Sequence, residues 1–324
     1  MAILANEKVL TLDFWKPANK LAIGDYVFDR TGKPVKVKLV QEYRSQNCYR
    51  VTFDDYLTAS GDSKLGFLVE TPKYRRRLAD YKGRLQFRRP LKLLPVQDLL
   101  TTPLKTKTNR WAISVPTTQP VALPSQPLSV PPFVLAYWFV NHKDYNKITI
   151  PNKNEEYVRQ KFKDCGYKLT KVPRQTGYYR VTPSIESQLV PKLPTSIPAN
   201  YLLAAPEQRI ELLKGIIEAK DRQYSVKLDR FRVSSVSRHF IVQVQQLVES
   251  LGIKTKLNYE DRYTLSFKSR INLVENQRSP KIRVHIDRRY VHSVDRISNQ
   301  MCVHIETTGE DNTILVGEGF IACR

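Results

Sequence analysis

The sequence predicts a mixed fold in which an all-β module, split into two halves, flanks an inserted α+β domain. Three observations lead there. Short β-branched and aromatic runs fill both ends of the 324-residue chain, amphipathic helical periods occupy its middle, and a proline-rich stretch separates the first half from the insert. The length is roughly two domains' worth, enough to bury a core.

The elements follow in order. Lys8–Leu12, Tyr26–Asp29, Val35–Glu42 and Tyr49–Phe53 read as strands, separated by the turn signals Ile23–Asp25 and Thr31–Pro34. Residues 116–132 hold six prolines and few charges, which predicts a stiff linker between a first part, 1–115, and an insert, 132–275, with the linker at 116–131. Pro132–Val140 is an apolar helix opening on proline, a residue suited to a first helical turn. Glu155–Asp164, Pro206–Ala219 and Ser237–Leu251 follow with a helical period, the last stopped by Gly252. Strand-like runs lie between them at Ile148–Ile150, Tyr178–Thr182, Phe231–Ser235 and Tyr263–Phe267. Strands return in the closing part, 280–324, at Lys281–Ile286, Met301–Glu306 and Thr313–Val316.

Charge is the dominant compositional signal. Fifty-three Lys and Arg stand against 31 Asp and Glu, a net +22, which points to polyanionic partners and above all to nucleic acid. Lys73–Lys92 concentrates it, with Arg75, Arg76, Arg77, Lys82, Arg84, Arg88 and Arg89 among its cations and Tyr74, Tyr81 and Phe87 between them. Cations can neutralise phosphates there and aromatics can stack on bases; a solvated basic hairpin or a dock for an acidic protein is the plainer alternative. The four cysteines are scattered, without a C-x-x-C pair, which suits a reducing compartment and argues against a zinc ribbon or a disulfide scaffold. No apolar run is long enough to span a membrane and no secretory signal is present, so a cytoplasmic protein without a membrane partner is expected, virion- or nucleoprotein-associated if phage-encoded.

Particular segments resemble a known family. AILANEKVLTLDFWK (Ala2–Lys16), KLAIGDYVFDRTGKPVKV (Lys20–Val37), NCYRVTFDDYLTASGDSKLGFLVET (Asn47–Thr71) and MCVHIETTGEDNTILVGEGFIACR (Met301–Arg324) resemble the Hint domain, the self-splicing fold of inteins. PPFVLAYWFVNH (Pro131–His142), IPANYLLAAPEQRIELLKGIIEAKD (Ile197–Asp221) and VSSVSRHFIVQVQQLVESLGIKTKL (Val233–Leu257) resemble an inserted LAGLIDADG homing endonuclease domain, in the manner of phage and helicase inteins. The resemblance implies an all-β Hint module split by an α+β pseudo-dimeric domain, and a monomer.

It also implies where chemistry would sit. The splicing nucleophile falls on Ala2, whose methyl group cannot attack a carbonyl. The histidine that polarises the scissile amide falls on Leu65, and the closing His-Asn falls on Arg324 and the position after it. Only Met1 precedes Ala2, so a free-standing, splicing-inactive chain is expected. His304 and Cys323 lie near the closing end; for His304 an ordinary surface or core role is the simpler alternative. The metal-holding acids of the two LAGLIDADG helices fall on Asn141 and Lys220, with Asp144, expected in a loop, and Asp221 as residual carboxylates for Mg²⁺.

The binding strands are better kept. Arg180, Lys227, Arg230, Arg232, Lys256, Arg262, Lys268 and Arg270 are the expected nucleic-acid contacts of the insert, with Arg283, Arg288 and Arg289 added from the last part. The expectation is a retired enzyme kept as a nucleic-acid binder, with double-stranded DNA preferred over RNA and no metal or cofactor. Two alternatives stay open: a structural or assembly subunit of a phage particle or nucleoprotein complex, and a residual metal-dependent endonuclease.

Overall fold

The computed structural model describes residues 2–13, 15–73, 91–144, 146–151, 155–189, 196–219, 224–274 and 288–324. The fold is mixed and mostly β, and it divides into two compact units: residues 1–122, 252–254 and 282–324 form one, residues 123–251 and 255–281 the other.

The first unit opens with β1 (Ala2–Leu4), β2 (Lys8–Leu10), β3 (Trp15–Pro17), β4 (Tyr26–Phe28), β5 (Pro34–Ser45), β6 (Cys48–Phe53), β7 (Thr58–Asp62), β8 (Gly66–Val69), β9 (Lys92–Pro95), a single turn α1 (Val96–Leu99) and β10 (Ser114–Pro116). Along the first four residues of β5 exposed and buried positions alternate, the period of a strand with one solvated face. The prolyl segment after β10 is packed rather than stranded in solvent. Val121 is buried, and the Ala122 N–H donates to the Gly32 carbonyl at 2.8 Å, where Gly32 at φ +76 is too close to Pro120 for a side chain.

The second unit repeats one pattern. Its first half runs α2 (Pro132–Asn141), β11 (His142–Asp144), β12 (Lys147–Thr149), α3 (Glu155–Asp164), β13 (Lys168–Lys171) and β14 (Tyr178–Thr182). A short α4 (Ala199–Leu202) leads into the second half: α5 (Pro206–Glu218), β15 (Tyr224–Ser225), β16 (Arg230–Ser235), α6 (Arg238–Ser250), β17 (Thr255–Tyr259) and β18 (Tyr263–Phe267). The strand orders β11-β12-β14-β13 and β15-β16-β18-β17 match, so each half is the same helix–strand–strand–helix–strand–strand unit. Asp144, expected in a loop, ends β11 opposite Lys147, because the chain turns straight back into β12.

Local chemistry fixes the helices. α2 begins on Pro132 and buries every side chain from Phe133 to Trp138, the mark of a helix enclosed on all sides. α6 is capped by Ser237, whose hydroxyl accepts the Phe240 N–H at 3.2 Å, and stops before Gly252 at φ +74. α2 and α5 pack closely because Gly215 leaves room: a Cβ there would stand 2.5 Å from the Phe133 carbonyl oxygen and 2.8 Å from Ala136 Cβ.

The chain then returns to the first unit with β19 (Arg288–Ile297), β20 (Gln300–Thr307), β21 (Ile314–Val316) and β22 (Ile321–Cys323). These strands enter the early sheets instead of forming their own. The large sheet runs β10-β19-β6-β7-β1-β20-β5-β4, and a second runs β22-β21-β2-β3. Ile3, Val9, Val51, Phe53 and Phe67 share one core with Val291, Val303, Ile305 and Val316. The expected strand Lys281–Ile286 lies outside the described residues. No helix of the described residues is long and apolar enough to cross a membrane.

Candidate functional site

Three places carry the residues singled out from the sequence. The first lies in the first unit. Ala2 is buried in β1, paired with His304 across β20. Gly61, opposite Ile3, allows close approach: a Cβ there would stand 2.2 Å from the Ala2 carbonyl oxygen and 3.1 Å from Leu65 Cδ2. The next residue, Gly66, exchanges two backbone hydrogen bonds with Arg324, at 2.7 and 2.8 Å. Ala2, Leu65 and Arg324, far apart in sequence, are therefore gathered at one centre.

That centre is filled with apolar groups. Leu65 is fully buried, its N–H held by the Asp62 carbonyl at 3.1 Å. Asp62 also takes the Tyr43 hydroxyl at 2.5 Å and the Lys64 N–H at 2.8 Å. The Cys323 thiol is fully buried, and burial pushes its pKa well up, with the Glu7 carboxylate adding to the effect. A thiol held protonated is not a nucleophile. His304 turns to Glu306, Nε2 to Oε1 at 3.1 Å. Nothing at Ala2 or Leu65 can attack or polarise an amide.

The second place is the pair of helix ends in the second unit. The Asn141 side-chain amide, at the end of α2, donates to the Ala219 carbonyl just past α5. Beside it burial raises the Tyr137 hydroxyl pKa, a rise that Asn141 opposes. Lys220 and Asp221 lie outside the described residues. Among the described residues, no three His, Cys, Asp or Glu side chains come together in a way that could hold a metal ion.

The third place is the pair of four-stranded sheets, and strand alternation sorts their residues. In the first, Ile148, Leu169, Tyr179 and Val181 are buried on one face. The opposite face carries the paired row Lys147–Arg180–Thr170, with Thr149, Tyr178, Lys168 and Thr182 beside it. In the second sheet Phe231, Val233, Leu265 and Phe267 are buried. Across the other face run Arg232–Ser266–Lys256 and Ser234–Thr264–Asn258, the Ser234 and Thr264 hydroxyls 2.9 Å apart. Arg230 is exposed on the same side of β16.

The solvent face of the second sheet carries no acidic residue, while in the first sheet Asp144 stands opposite Lys147 at the β11 edge; among the described residues Arg180, Arg230, Arg232 and Lys256 have no ion-pair partner. Of the remaining expected contacts, Lys227 is exposed in the β15–β16 turn, Arg262 in the β17–β18 turn beside Glu260 and Asp261, and Lys268 and Arg270 just after β18. Lys147 was not among the expected contacts, although the alternation of its own strand was signal enough to find it.

Two expected contacts are withdrawn. Arg289 is buried, its Nε 2.8 Å from Asp55, and Arg288 Nε reaches the buried carboxylate of Glu70 at 3.2 Å. Both guanidinium groups neutralise carboxylates inside the first unit and are turned away from solvent ligands. Arg75, Arg76, Arg77, Lys82, Arg84, Arg88 and Arg89 lie outside the described residues, as does Arg283.

No protein-family model matches the chain, and no curated protein matches it. Among solved structures it is similar to the MchDnaB-1 intein, at 22% identity over 21% of this chain and 53% of that one, with a TM-score of 0.20. The gp41-1 intein is similar at 15% identity over 35% of this chain and 74% of that one, with a TM-score of 0.23. I-DmoI in complex with DNA and Mn is similar at 16% identity over 42% of this chain and 90% of that one, with a TM-score of 0.30. The chain spans about half the length of the MchDnaB-1 intein, and each likeness is partial and at low identity.

Proposed function

We propose that this protein is a splicing-inactive and nuclease-inactive relative of endonuclease-bearing inteins that binds nucleic acid, duplex DNA first of all, through the solvent faces of the two sheets of its second unit. The observation that carries the reading is the pair of solvent faces on which Arg180, Arg230, Arg232 and Lys256 have no ion-pair partner among the described residues. Cations left without carboxylates keep their full attraction for phosphates. Arg, Lys, Asn, Ser and Thr on a flat β surface are also the side chains suited to base edges in a major groove.

The absence of cutting follows from two residues. A metal held between the ends of α2 and α5 requires carboxylate oxygens, and Asn141 offers an amide that is already spent on Ala219. Lys220, at the second acidic position of the resemblance, would repel the ion. Splicing is lost at Ala2 and Leu65 for want of a nucleophile and an imidazole.

The test is an anisotropy titration of labelled duplex DNA at several salt concentrations, for the native protein and the Arg180→Ala/Arg232→Ala variant. The native protein should bind with a steep salt dependence, and the variant should bind more weakly with a shallower slope. An unaltered slope would remove the sheet faces from the interface. Co-purification at fixed stoichiometry with another protein, together with weak duplex binding, would favour an assembly role instead.

A further inference from the structure

Two of the four cysteines, 254 residues apart in the chain, meet in the interior of the first unit. Cys48 opens β6, Cys302 lies in β20, and their sulfurs stand 3.7 Å apart with both residues fully buried. The two strands are not neighbours in the sheet. Cys48 is opposite Asp62 of β7 and Ile297 of β19, and Cys302 is opposite Leu4 of β1 and Tyr43 of β5. The contact is therefore made by side chains across the interior. Leu4, Tyr43 and Ile297 enclose the two thiols in a small apolar cluster apart from the main core. The pair joins the β5–β6 segment to the β19–β20 segment, the two parts of the first unit that the second unit separates in sequence.

The protons are held inside this cluster. Cys48 Sγ donates to the Ser45 carbonyl at 3.4 Å, which leaves Cys302 to donate to the Cys48 sulfur. Burial pushes the Cys302 thiol up to about 12, and the bond to Cys48 adds to the rise. A soft cation would need both sulfurs as thiolates in an apolar cluster beside Asp62, a burial of negative charge that nothing nearby offsets. A disulfide needs no charge in either state, since both protons leave with the two electrons. Closing 3.7 Å to the bond length of roughly 2.05 Å asks about 0.8 Å of each sulfur, a movement that side-chain torsions can supply.

The surroundings also set an order. Cys48 follows directly on the exposed turn residues Gln46 and Asn47, whereas Cys302 sits within β20 between β1 and β5. Opening of the turn uncovers Cys48 first.

We infer that Cys48 and Cys302 form a reversible dithiol–disulfide site, oxidised by low-molecular-weight disulfides, that ties the two parts of the first unit together. The Cys48 sulfur, its proton passing to solvent, attacks one sulfur of R–S–S–R; that bond breaks and one R–SH leaves. Cys302 then gives up its proton, attacks the Cys48 sulfur and releases the second R–SH. Two electrons pass from the protein to the reagent, and excess thiol reverses the exchange. The site lies wholly within the first unit and stands independently of nucleic-acid binding.

The test incubates the native protein with hydroxyethyl disulfide, blocks remaining thiols with a maleimide and maps the peptides, in buffer and in urea. In buffer the Cys48 and Cys302 peptides should be joined and unlabelled, dithiothreitol should separate them, and in urea the pairings should scatter over all four cysteines. Cys302→Ala should stop at a mixed disulfide on Cys48. Native protein with Cys48 and Cys302 both labelled, a link through Cys165 or Cys323 instead, or the same pairings in buffer and urea would overturn the site. The native pairing decides it even where the variant does not fold. A folded Cys302→Ala protein that takes up no reagent at Cys48 would overturn the order of attack.

Discussion

Asn141 hydrogen-bonds through its side-chain amide to the carbonyl of Ala219, joining the C-terminal ends of α2 and α5. The bond uses a donor that a carboxylate lacks. Asn141→Asp, which installs the acid expected in an active nuclease, therefore loses the bond and sets an anion against a carbonyl oxygen. The expected cost is about 1 kcal/mol or more, read as a lower urea midpoint, with no Mg²⁺-dependent cleavage gained. An unchanged midpoint would mean that the bond contributes nothing.

Gly215 sits where α2 and α5 come closest. Gly215→Ala gains about 1 kcal/mol of helix propensity but places a methyl group 2.5 Å from the Phe133 carbonyl oxygen. Backbone must move to admit it, and overpacking of this kind costs about 1–3 kcal/mol. The clash should win, and thermal unfolding should show a less stable protein. A more stable variant would show that the two helices can separate freely.

The buried pair Arg289–Asp55 ties β19 to the turn after β6, with the Arg289 side chain 4% exposed and that of Asp55 0%. Removing one partner leaves the other charge without compensation. Arg289→Met is expected to destabilise by about 3–5 kcal/mol in chemical denaturation, while an exposed cation such as Arg296 should tolerate the same change. Equal effects at the two positions would contradict the assignment of Arg289 to the interior.

Glu7 gives a pH signature. Burial raises its carboxyl above the ordinary value of 4.5, against the lowering by the Ser60 hydrogen bonds and Arg50. The folded protein thus holds this proton more tightly than the unfolded chain. The stability it contributes is complete below 4.5 and is lost as pH rises through the raised folded value. Glu7→Gln keeps an oxygen for the Ser60 N–H and cannot ionise. Its stability relative to the native protein should grow as pH rises above that range and level off beyond the raised value. A gap independent of pH would contradict it.

Much of this was legible in the sequence where local chemistry decides the outcome. The period of α5, the glycine stop after α6 and the alternation around Arg230 and Arg232 are local patterns, and the structure follows them. The strand β7 was not legible: in Thr-Ala-Ser-Gly-Asp only Thr58 favours a strand, and the segment is held by its neighbours β6 and β1. β1 is three residues long, too short to show a period. The fate of Arg288 and Arg289 was hidden because their partners, Glu70 and Asp55, lie more than two hundred residues earlier.

The central claim is binding without cutting, carried by the sheet faces of the second unit. One titration tests it most directly: labelled duplex DNA against the native protein and Arg180→Ala/Arg232→Ala, with Mg²⁺ present and the strands resolved on a denaturing gel afterwards. The account predicts salt-sensitive binding by the native protein, weaker and less salt-sensitive binding by the variant, and intact strands in every lane. Metal-dependent cleavage, or binding that ignores the two arginines, would contradict it.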